Sequence, residues 1–342
     1  MSAEGLKMVV HVGEAARVGG HLVSDLLMDR IAAAGVAASI MLRGVEGFGA
    51  RHRLRTDRML SLSEDLPLVM VAVDLPTTIV PLAAEAASLV PRGLITLERV
   101  ALPGAQLDDD TSAGAAGPEA KLTVYCGRAE EHRGASVPTA VADVLREAGL
   151  AGAIVLSGVD GVLGGERRRG RVLARNRGVP AMVIAVGAGE RVAAALPRVR
   201  AISGRHVATV ERVSILRRDG APVGPLPTAP QRDGAGVDLW QRLTVTGGES
   251  DGSGGRPFHV GLIHDLRAAH APGATALRGT WGHTGEGALH SERLLTIRRR
   301  TPVLVTVIAR PDEMTRLFAV VERATATSGL VTGELVPTVR TV

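Results

Sequence analysis

The sequence predicts an α+β fold made of three tandem copies of one unit, each with the element order β-α-β-β-α-β. The first observation is the motif Leu-x-Gly-x-x-Gly after an apolar residue, which begins at Leu42, Leu156 and Leu277. The copies are therefore 114 and then 121 residues apart, and positions on both sides of the motif recur at the same offsets. The second observation is that apolar runs of strand length alternate with segments of helical periodicity.

Local patterns identify the first half of each copy. Met8–Val12 is a short apolar run and is predicted as the first strand. Leu22–Ala34 gathers its large apolar residues on one side of a helix, and Gly35 follows it as a typical C-terminal glycine. Ala38–Val45 is predicted as the second strand. The long basic segment Gly47–Ser61 that follows is predicted as an exposed loop.

The second half of the copy completes a known arrangement. Leu66–Val73 is predicted as the third strand, Thr77–Leu89 as the second helix and Leu94–Val100 as the fourth strand. This order is that of the split βαβ, or ferredoxin-like, unit, whose helices both lie on one face of a four-stranded sheet. The third strand has no polar interruption from Leu68 onward, as in sheets that are buried on both faces. We therefore expect the helix-free face to form an interface.

The repeats also set the domain boundaries. Two segments rich in Gly, Pro and small residues separate the copies and are predicted as flexible connectors. The predicted domains are 5–102, 121–216 and 241–342, and the predicted connectors are 103–120 and 217–240.

Composition narrows the classes of function. The net charge is +5, but the chain holds only three Phe, two Trp and one Tyr, so no aromatic platform accompanies its arginine runs and no nucleic-acid partner is predicted. The single Cys126 excludes an intrachain disulfide. We see no signal peptide and no apolar run long enough to span a bilayer, which predicts a cytoplasmic protein without membrane insertion. No nucleophile–base constellation recurs between copies, so an enzyme is not expected.

Three segments of the first copy, Leu42–Gly49, Leu62–Pro67 and Gly93–Glu98, resemble the PII-like proteins, and among them the uncharacterised family called domain of unknown function 190. The third copy keeps Leu277–Gly279, whereas the second has Ser157 where the first has an arginine. The resemblance implies ferredoxin-like domains that trimerise with their sheets facing inward. It also implies that adenine nucleotides or other small effectors bind in clefts between subunits, at the base of a long loop that engages a partner protein.

Three such units equal one family trimer, so we expect a single-chain pseudo-trimer; the alternative is a string of domains that each trimerise between chains. The expected function is regulatory, with a small anionic effector such as an adenine nucleotide and a protein partner such as a transporter or an enzyme. Two alternatives stay open, an effector-independent scaffold and a metal-binding protein like the copper-tolerance proteins that share this fold. The loops expected to signal are Phe48–Ser61, Val162–Arg175 and His283–Thr296.

The candidate ligand residues cluster where the second strand ends. Backbone N–H groups of a glycine-rich turn can form an anion-binding nest, and arginines beside it can clamp a phosphate. The alternative is a turn or β-bulge that needs glycine for its backbone angles, and this alternative is favoured for the second copy. No catalytic residue and no metal ligand is predicted. The candidates are Arg43, Gly44, Gly47, Gly49, Arg51, Arg278, Gly279 and Gly282.

Overall fold

The structure is a computed structural model of the 342-residue chain. Within the described part of the chain, no helix is both long and apolar enough to cross a membrane. The described residues are 3–57, 65–103, 117–170, 178–204, 206–228, 230–252, 255–284, 287–289 and 301–340.

The first repeat has the predicted order of long elements, with short strand pairs added. The glycine expected to end the first helix does so, since Gly35 has a φ of +63° and donates its N–H to the carbonyl oxygen of Ala32. The elements are β1 Ala3–Gly13, β2 Arg17–Val18, β3 His21–Leu22, α1 Val23–Ala33, β4 Ala38–Arg43, β5 Glu46–Phe48, β6 Arg55–Thr56, β7 Pro67–Asp74, α2 Pro76–Leu89 and β8 Leu94–Leu102.

The second repeat has the same order and continues into an additional hairpin. Its first helix begins after Ser136, whose hydroxyl accepts a hydrogen bond from the Thr139 N–H. The elements are β9 Glu119–Gly127, β10 Glu131–His132, β11 Ala135–Ser136, α3 Val137–Glu147, β12 Gly152–Ser157, β13 Asp160–Leu163, β14 Glu166–Arg167, β15 Pro180–Ala188, α4 Gly189–Ser203, β16 Ala208–Arg212, β17 Ser214–Arg218 and β18 Ala221–Pro222.

The third repeat completes the set. Proline at the start of its second helix, as in α2, occupies a position where no backbone N–H is needed. The elements are β19 Leu239–Gly248, a 3₁₀ turn Glu249–Asp251, α5 Phe258–Ala268, β20 Ala274–Arg278, β21 Trp281–Thr284, β22 Gly287–Leu289, β23 Pro302–Ala309, α6 Pro311–Ala324 and β24 Leu330–Arg340.

All three repeats have one strand order. In the first repeat the strands lie side by side in the order β4, β7, β1, β8, and neighbouring strands are antiparallel. The second repeat has the order β12, β15, β9 and β16, and the third has β20, β23, β19 and β24. The fourth strand of each unit therefore lies beside the first, and the second strand lies at the opposite edge.

The third strand of the first repeat is buried on both faces, as predicted. Leu68, Met70 and Ala72 pack with α1 and α2 in one core. Val69 and Val71 alternate with them and enter a different core, to which all three repeats contribute. We call this shared core the inner core; its members also include Ile40, Leu42, Tyr125, Ile154, Leu156, Met182, Leu277 and Leu304.

Strand pairing between neighbouring repeats runs through all three. In the second repeat β13 pairs with β4 of the first; β5 of the first pairs with β20 of the third; and β21 of the third pairs with β12 of the second. Each repeat pairs with both other repeats through these strands, so the three pairings connect the repeats in a closed cycle. The fourth strands also meet, because β8 pairs with β16 and with β24.

The three segments predicted as exposed loops begin as these inter-repeat strands, and the prediction is wrong there. Phe48, Val162 and His283 lie in β5, β13 and β21, and all three are buried. A periodicity argument within one repeat cannot detect them, because their pairing partners belong to another repeat. Residues 58–61, 171–175, 285–286 and 290–296 of these predicted loops lie outside the described part of the chain.

The segment 217–240, predicted as a flexible connector, is partly built of strands. β17 begins at Ser214 and extends into this segment, where Arg217 and Arg218 pair with β24 of the third repeat. β18 then folds back on β17 as a hairpin, and β19 begins at Leu239. A sheet edge in the next repeat therefore orders part of a segment whose Pro and Gly content suggested a coil. Of the other connector, residues 104–116 lie outside the described part.

Candidate binding sites between the repeats

Arg43 lies at the end of β4 and is exposed. Its guanidinium donates to both carboxylate oxygens of Glu14, with Nε at 2.9 and 3.0 Å and Nη2 at 2.9 Å. This fork-to-fork geometry is the one that also binds phosphate. Without a ligand, the first arginine candidate is therefore neutralised by a carboxylate of its own repeat.

Arg278 is the equivalent residue of the third repeat, and it connects two repeats. Its Nη2 lies 3.1 Å from a carboxylate oxygen of Glu249, the counterpart of Glu14. Its Nη1 lies 3.5 Å from a carboxylate oxygen of Asp57, which follows β6 of the first repeat. A guanidinium at the boundary of two repeats thus contacts the segment that leads out of β5 and β6.

The second repeat departs from this pattern at both positions. Ser157 ends β12 where the other repeats have an arginine, and an exposed Arg128 stands at the position equivalent to Glu14 and Glu249. The arginine–glutamate pair is therefore absent at this boundary, and the three clefts differ in charge.

The glycines of the motif allow close approach between repeats. The Gly44 N–H donates to the Pro67 carbonyl oxygen, and the next N–H, that of Val45, donates to the Ala276 carbonyl oxygen of the third repeat. A Cβ on Gly44 would meet Pro67 Cγ at 2.6 Å. At Gly158 and Gly279 the glycine N–H likewise donates within its own repeat, and the N–H of the next residue donates to a carbonyl oxygen of another repeat. Because these N–H groups already have partners and φ is not positive at the motif glycines, the geometry is neither a vacant nest nor a left-handed turn.

Two of the remaining candidate glycines, Gly282 and Gly49, differ from each other. A Cβ on Gly282 would lie 2.9 Å from the Ala153 carbonyl oxygen of the second repeat. Gly49 is exposed, and its Cβ would meet nothing within 4 Å. Arg51 is also exposed, in the turn after β5. Of the candidates, the structure brings Arg43 and Arg278 to repeat boundaries, whereas Gly49 and Arg51 lie on the surface.

The inter-repeat strands β5, β13 and β21 each begin with a different residue, so the three boundaries between repeats differ at this position. Glu46 is buried beside α5, with its carboxylate 3.9 Å from His259 Nε2 and 3.7 Å from His264 Nε2. Asp160, at the equivalent position of the second repeat, is fully buried and paired with Arg167. In the third repeat Trp281 takes this place and packs on the core of the second repeat.

The basic run Arg167-Arg168-Arg169 is held by carboxylates. Arg167 Nη2 lies 2.7 Å from Asp160 and the guanidinium also contacts Asp29 on α1 of the first repeat. Arg169 Nη2 lies 2.9 Å from Asp25 of the same helix. Hydrogen bonding to Asp160 raises the pKa of Arg167. The run therefore joins two repeats; the similar run 298–300 lies outside the described residues.

Replacing Arg167 with Ala should lower the free energy of unfolding by about 2–3 kcal/mol, because a buried carboxylate loses its main cation. Urea denaturation measures the change. The matched control is Arg146→Ala, since Arg146 pairs with Asp143 at 3.9 Å on an exposed helix surface and should contribute less than about 0.5 kcal/mol. Equal effects of the two substitutions would contradict the assignment.

A ring of six charged side chains lies where the three sheets meet. The acids are Glu98, Glu211 and Glu334, which occupy equivalent positions of β8, β16 and β24. All six side chains are at most 10 % exposed. Each cation contacts the acid of its own repeat and that of the next, which closes the ring. The contacts are Lys7 with Glu98 at 2.8 Å and with Glu211, Lys121 with Glu211 at 3.2 Å and with Glu334, and Arg242 with Glu334 at 3.6 Å and with Glu98.

Ion pairing decides the protonation of the ring. Burial alone would raise the pKa of Glu98, but Arg242 and Lys7 outweigh it and hold the pKa well below its usual range; that of Glu334 is lowered in the same way. Burial would lower the pKa of Lys7, but Glu211 and Glu98 raise it. The carboxylates thus contribute stability above about pH 4.5 that is lost in acid, and Lys7 contributes stability below about pH 10.5 that is lost in alkali.

Sequence reasoning missed this ring, although a signal for it was present. The acids end the recurring triplets Thr96-Leu97-Glu98, Thr209-Val210-Glu211 and Thr332-Gly333-Glu334. The cations recur at the repeat offsets within the first strand of each unit. The acids approach one another closely, with one carboxylate oxygen of each within 4.8 Å of the others. Their partners are an ammonium or a guanidinium on either side, so the group is an ion-pair network.

His11 lies on the inward face of β1, two residues beyond Val9 and four beyond Lys7. Its Nε2 is buried and has no hydrogen-bond partner among the described residues. Burial and, after it, the nearby Arg242 lower the pKa of His11 to about 4, against the opposing effect of Glu98. The imidazole is therefore neutral at physiological pH.

Acid should consequently destabilise the protein through His11. Between about pH 6.5 and 4 the unfolded chain binds a proton that folded His11 does not, so stability falls as the pH falls through this window. We expect a loss on the order of 2 kcal/mol from this residue. Urea titrations across the window should show a shallower pH dependence for His11→Gln. The exposed His21→Gln should keep the wild-type slope, and an unchanged slope in His11→Gln would refute the assignment.

Comparison with known proteins identifies one family. The sequence matches the profile of domain of unknown function 190, described as Uncharacterized ACR, three times, at residues 5–102, 119–215 and 240–338. Similarity to solved structures is low. A structure described as an unknown protein from Galdieria sulphuraria is 15 % identical, with 60 % of this chain and 96 % of that chain covered and a TM-score of 0.16. An encapsulated DyP-type peroxidase from Mycobacterium smegmatis is 10 % identical, with 65 % and 93 % covered and a TM-score of 0.19. Scores this low carry no argument about fold or chemistry.

Proposed function

The chain belongs to the family called domain of unknown function 190, in three copies, and from that premise we propose that it is a PII-like regulatory protein. The three ferredoxin-like units form a single-chain pseudo-trimer. A small anionic effector, an adenine nucleotide in the first instance, binds in the clefts between repeats, and the segments that leave β5, β13 and β21 transmit its presence to a partner protein such as a transporter or an enzyme. The chain acts by binding and not by catalysis.

The observation that carries this proposal is the position of Arg278. It is a guanidinium at a boundary between repeats, it is held by one carboxylate from each side, and it contacts Asp57 in the segment that follows β6. A phosphate carries more charge than one carboxylate and accepts two parallel hydrogen bonds from a guanidinium. Binding would therefore release Asp57 and change the segment to which it belongs, which couples occupancy to loop conformation.

The three clefts should not bind equally. Arg43 and Arg278 supply a guanidinium at two boundaries, whereas Ser157 supplies none at the third. At most two effector molecules per chain are therefore expected. A titration by calorimetry measures this stoichiometry, and three equivalent sites would be inconsistent with the proposal.

The effector itself is tested by thermal unfolding with AMP, ADP, ATP and cyclic nucleotides. We expect at least one of them to raise the unfolding temperature at millimolar concentration, since a ligand that binds only the folded state stabilises it. Arg278→Ala should abolish most of that rise. Arg198→Ala, which removes an exposed guanidinium from the α3–α4 surface, should preserve it. No rise with any nucleotide, or an equal rise in both variants, counts against the effector.

A second function, an effector-independent scaffold, is favoured by a different observation. The motif N–H groups already donate within the protein, and Arg43 and Arg278 already have carboxylate partners. Such a protein would bind its partner through the same loops without a ligand. A partner whose affinity is the same with and without nucleotide would favour the scaffold; an affinity that changes with nucleotide would favour the sensor.

A further inference from the structure

A chamber lies between the three sheets, inside the inner core. Its volume is about 100 Å³, enough for a few water molecules or one small organic molecule. We propose that this chamber is a binding site for a small uncharged molecule that carries one hydrogen-bonding group on a short hydrocarbon body. The proposal is independent of the effector site, because the chamber lies on the inward faces of the sheets and the arginines lie at the repeat boundaries.

The wall of the chamber has the same composition pattern in each repeat. In the sheet of the first repeat, Val69 on β7 lies opposite His11 on β1 and opposite Leu42 on β4. Each repeat thus offers one polar residue beside two apolar ones at the same level of the sheet. The equivalent rows are Tyr125, Met182 and Leu156 in the second repeat and Thr246, Leu304 and Leu277 in the third, and all nine residues line the chamber.

A polar side chain in the chamber wall lacks a hydrogen-bond partner. His11 Nε2 is buried and lacks a hydrogen-bond partner among the residues that the structure describes. A buried polar atom without a partner is costly, and a ligand or a water that supplies the bond removes the cost. The Tyr125 hydroxyl and the Thr246 side chain line the same space. A hydroxyl or amide group on a ligand would meet donors and acceptors from all three repeats.

The charges around the chamber select against ions. The ring of Lys7, Lys121, Arg242 and the three glutamates holds three positive and three negative groups, each paired with its neighbours. Lys7, Lys121, Arg242 and Glu334 of this ring also line the chamber. Each of them is already paired within the ring, so among the described residues neither a buried anion nor a buried cation finds a free counterion. An uncharged molecule avoids this desolvation cost.

The apolar part of the wall defines the rest of the ligand. Leu42, Leu156 and Leu277 come from three different repeats and lie in one core. A branched body of three or four carbon atoms would contact all of them. Since the ligand touches every repeat at once, its binding also favours the closed arrangement of the three sheets.

Isobutanol, isobutylamine and isobutyrate test the chamber, because they share a hydrocarbon body and differ at pH 7 only in their polar group and charge. We expect saturation-transfer NMR on the full chain to show binding of isobutanol at millimolar concentration and none of its two ionic analogues. A crystal soaked in isobutanol should show the alcohol within hydrogen-bonding distance of His11. Equal signals from all three probes, or density for water alone in the chamber, overturns the proposal.

A pair of variants links the signal to the chamber. His11→Leu keeps a similar volume and removes the hydrogen bond, and it should weaken isobutanol binding at least tenfold. His21→Leu removes an exposed histidine from β3 and should leave it unchanged. If the two variants bind alike, the alcohol binds elsewhere and the proposal is wrong. Should His11→Leu not fold, the soaked wild-type crystal still decides between alcohol and water.

Discussion

Replacement of Lys7 by Met is expected to lower the free energy of unfolding by about 3–5 kcal/mol. Lys7 is almost fully buried and contacts Glu98 of its own repeat and Glu211 of the next. Met fills a similar volume, so the loss comes from the charge: three buried carboxylates then share two cations. Urea denaturation at pH 7 measures the change, and an unaltered m-value would show that the unfolding transition remains comparable.

The matched control removes a cation from the exposed surface of the same strand pair, β1 and β8. Arg99 lies 3.1 Å from Glu4, but both side chains are mostly exposed, so Arg99→Met should change stability by less than about 0.5 kcal/mol. The double variant Lys7→Met/Glu98→Gln restores the balance of charge in the ring and should be more stable than Lys7→Met alone. A loss below about 1 kcal/mol for Lys7→Met would show that the ring is not desolvated as the structure has it.

Replacement of Gly47 by Ala is expected to cost about 3 kcal/mol, at the upper end of overpacking effects. A Cβ at this position would lie 2.5 Å from the Ala274 carbonyl oxygen of the third repeat and 3.0 Å from Pro67 Cγ. Because the first obstacle is backbone, β5 must withdraw from β20. Hydrogen exchange of the Val45 amide, which donates to Ala276, should accelerate together with the loss of stability.

The same segment provides the control. A Cβ on Gly49 would meet nothing within 4 Å, and φ at Gly49 is not positive. Gly49→Ala should therefore stay within about 0.5 kcal/mol of the wild type. If both substitutions are tolerated equally, close packing between repeats is not the reason for the recurring glycine.

Features that depend on one repeat were predictable from the sequence. The uninterrupted apolar run after Pro67 predicted a strand with two buried faces, and its alternate residues enter two different cores. Gly35 predicted the end of α1 because a left-handed residue after a helix favours glycine. In both cases the physical cause lies within a few residues of the pattern.

Features that depend on a neighbouring repeat were not predictable. Glu98 and Lys7 lie in strands, where a charged residue ordinarily indicates a solvent-exposed face, and only the meeting of three sheets buries them. Phe48 follows a glycine-rich turn and resembles the start of a loop, yet it lies in a strand paired with another repeat. The candidate site shows the same division: the arginines were identified from their position, whereas their carboxylate partners Glu14, Glu249 and Asp57 required the structure.

Small-angle X-ray scattering on the purified protein tests whether three repeats of one chain close around the inner core, because the forward scattering gives the mass and the low-angle slope gives the radius of gyration. We expect the mass of one 342-residue chain and a radius of gyration of about 20 Å, as for a compact domain of that length. A particle with the mass of three chains, or a single chain with a much larger radius, would contradict it.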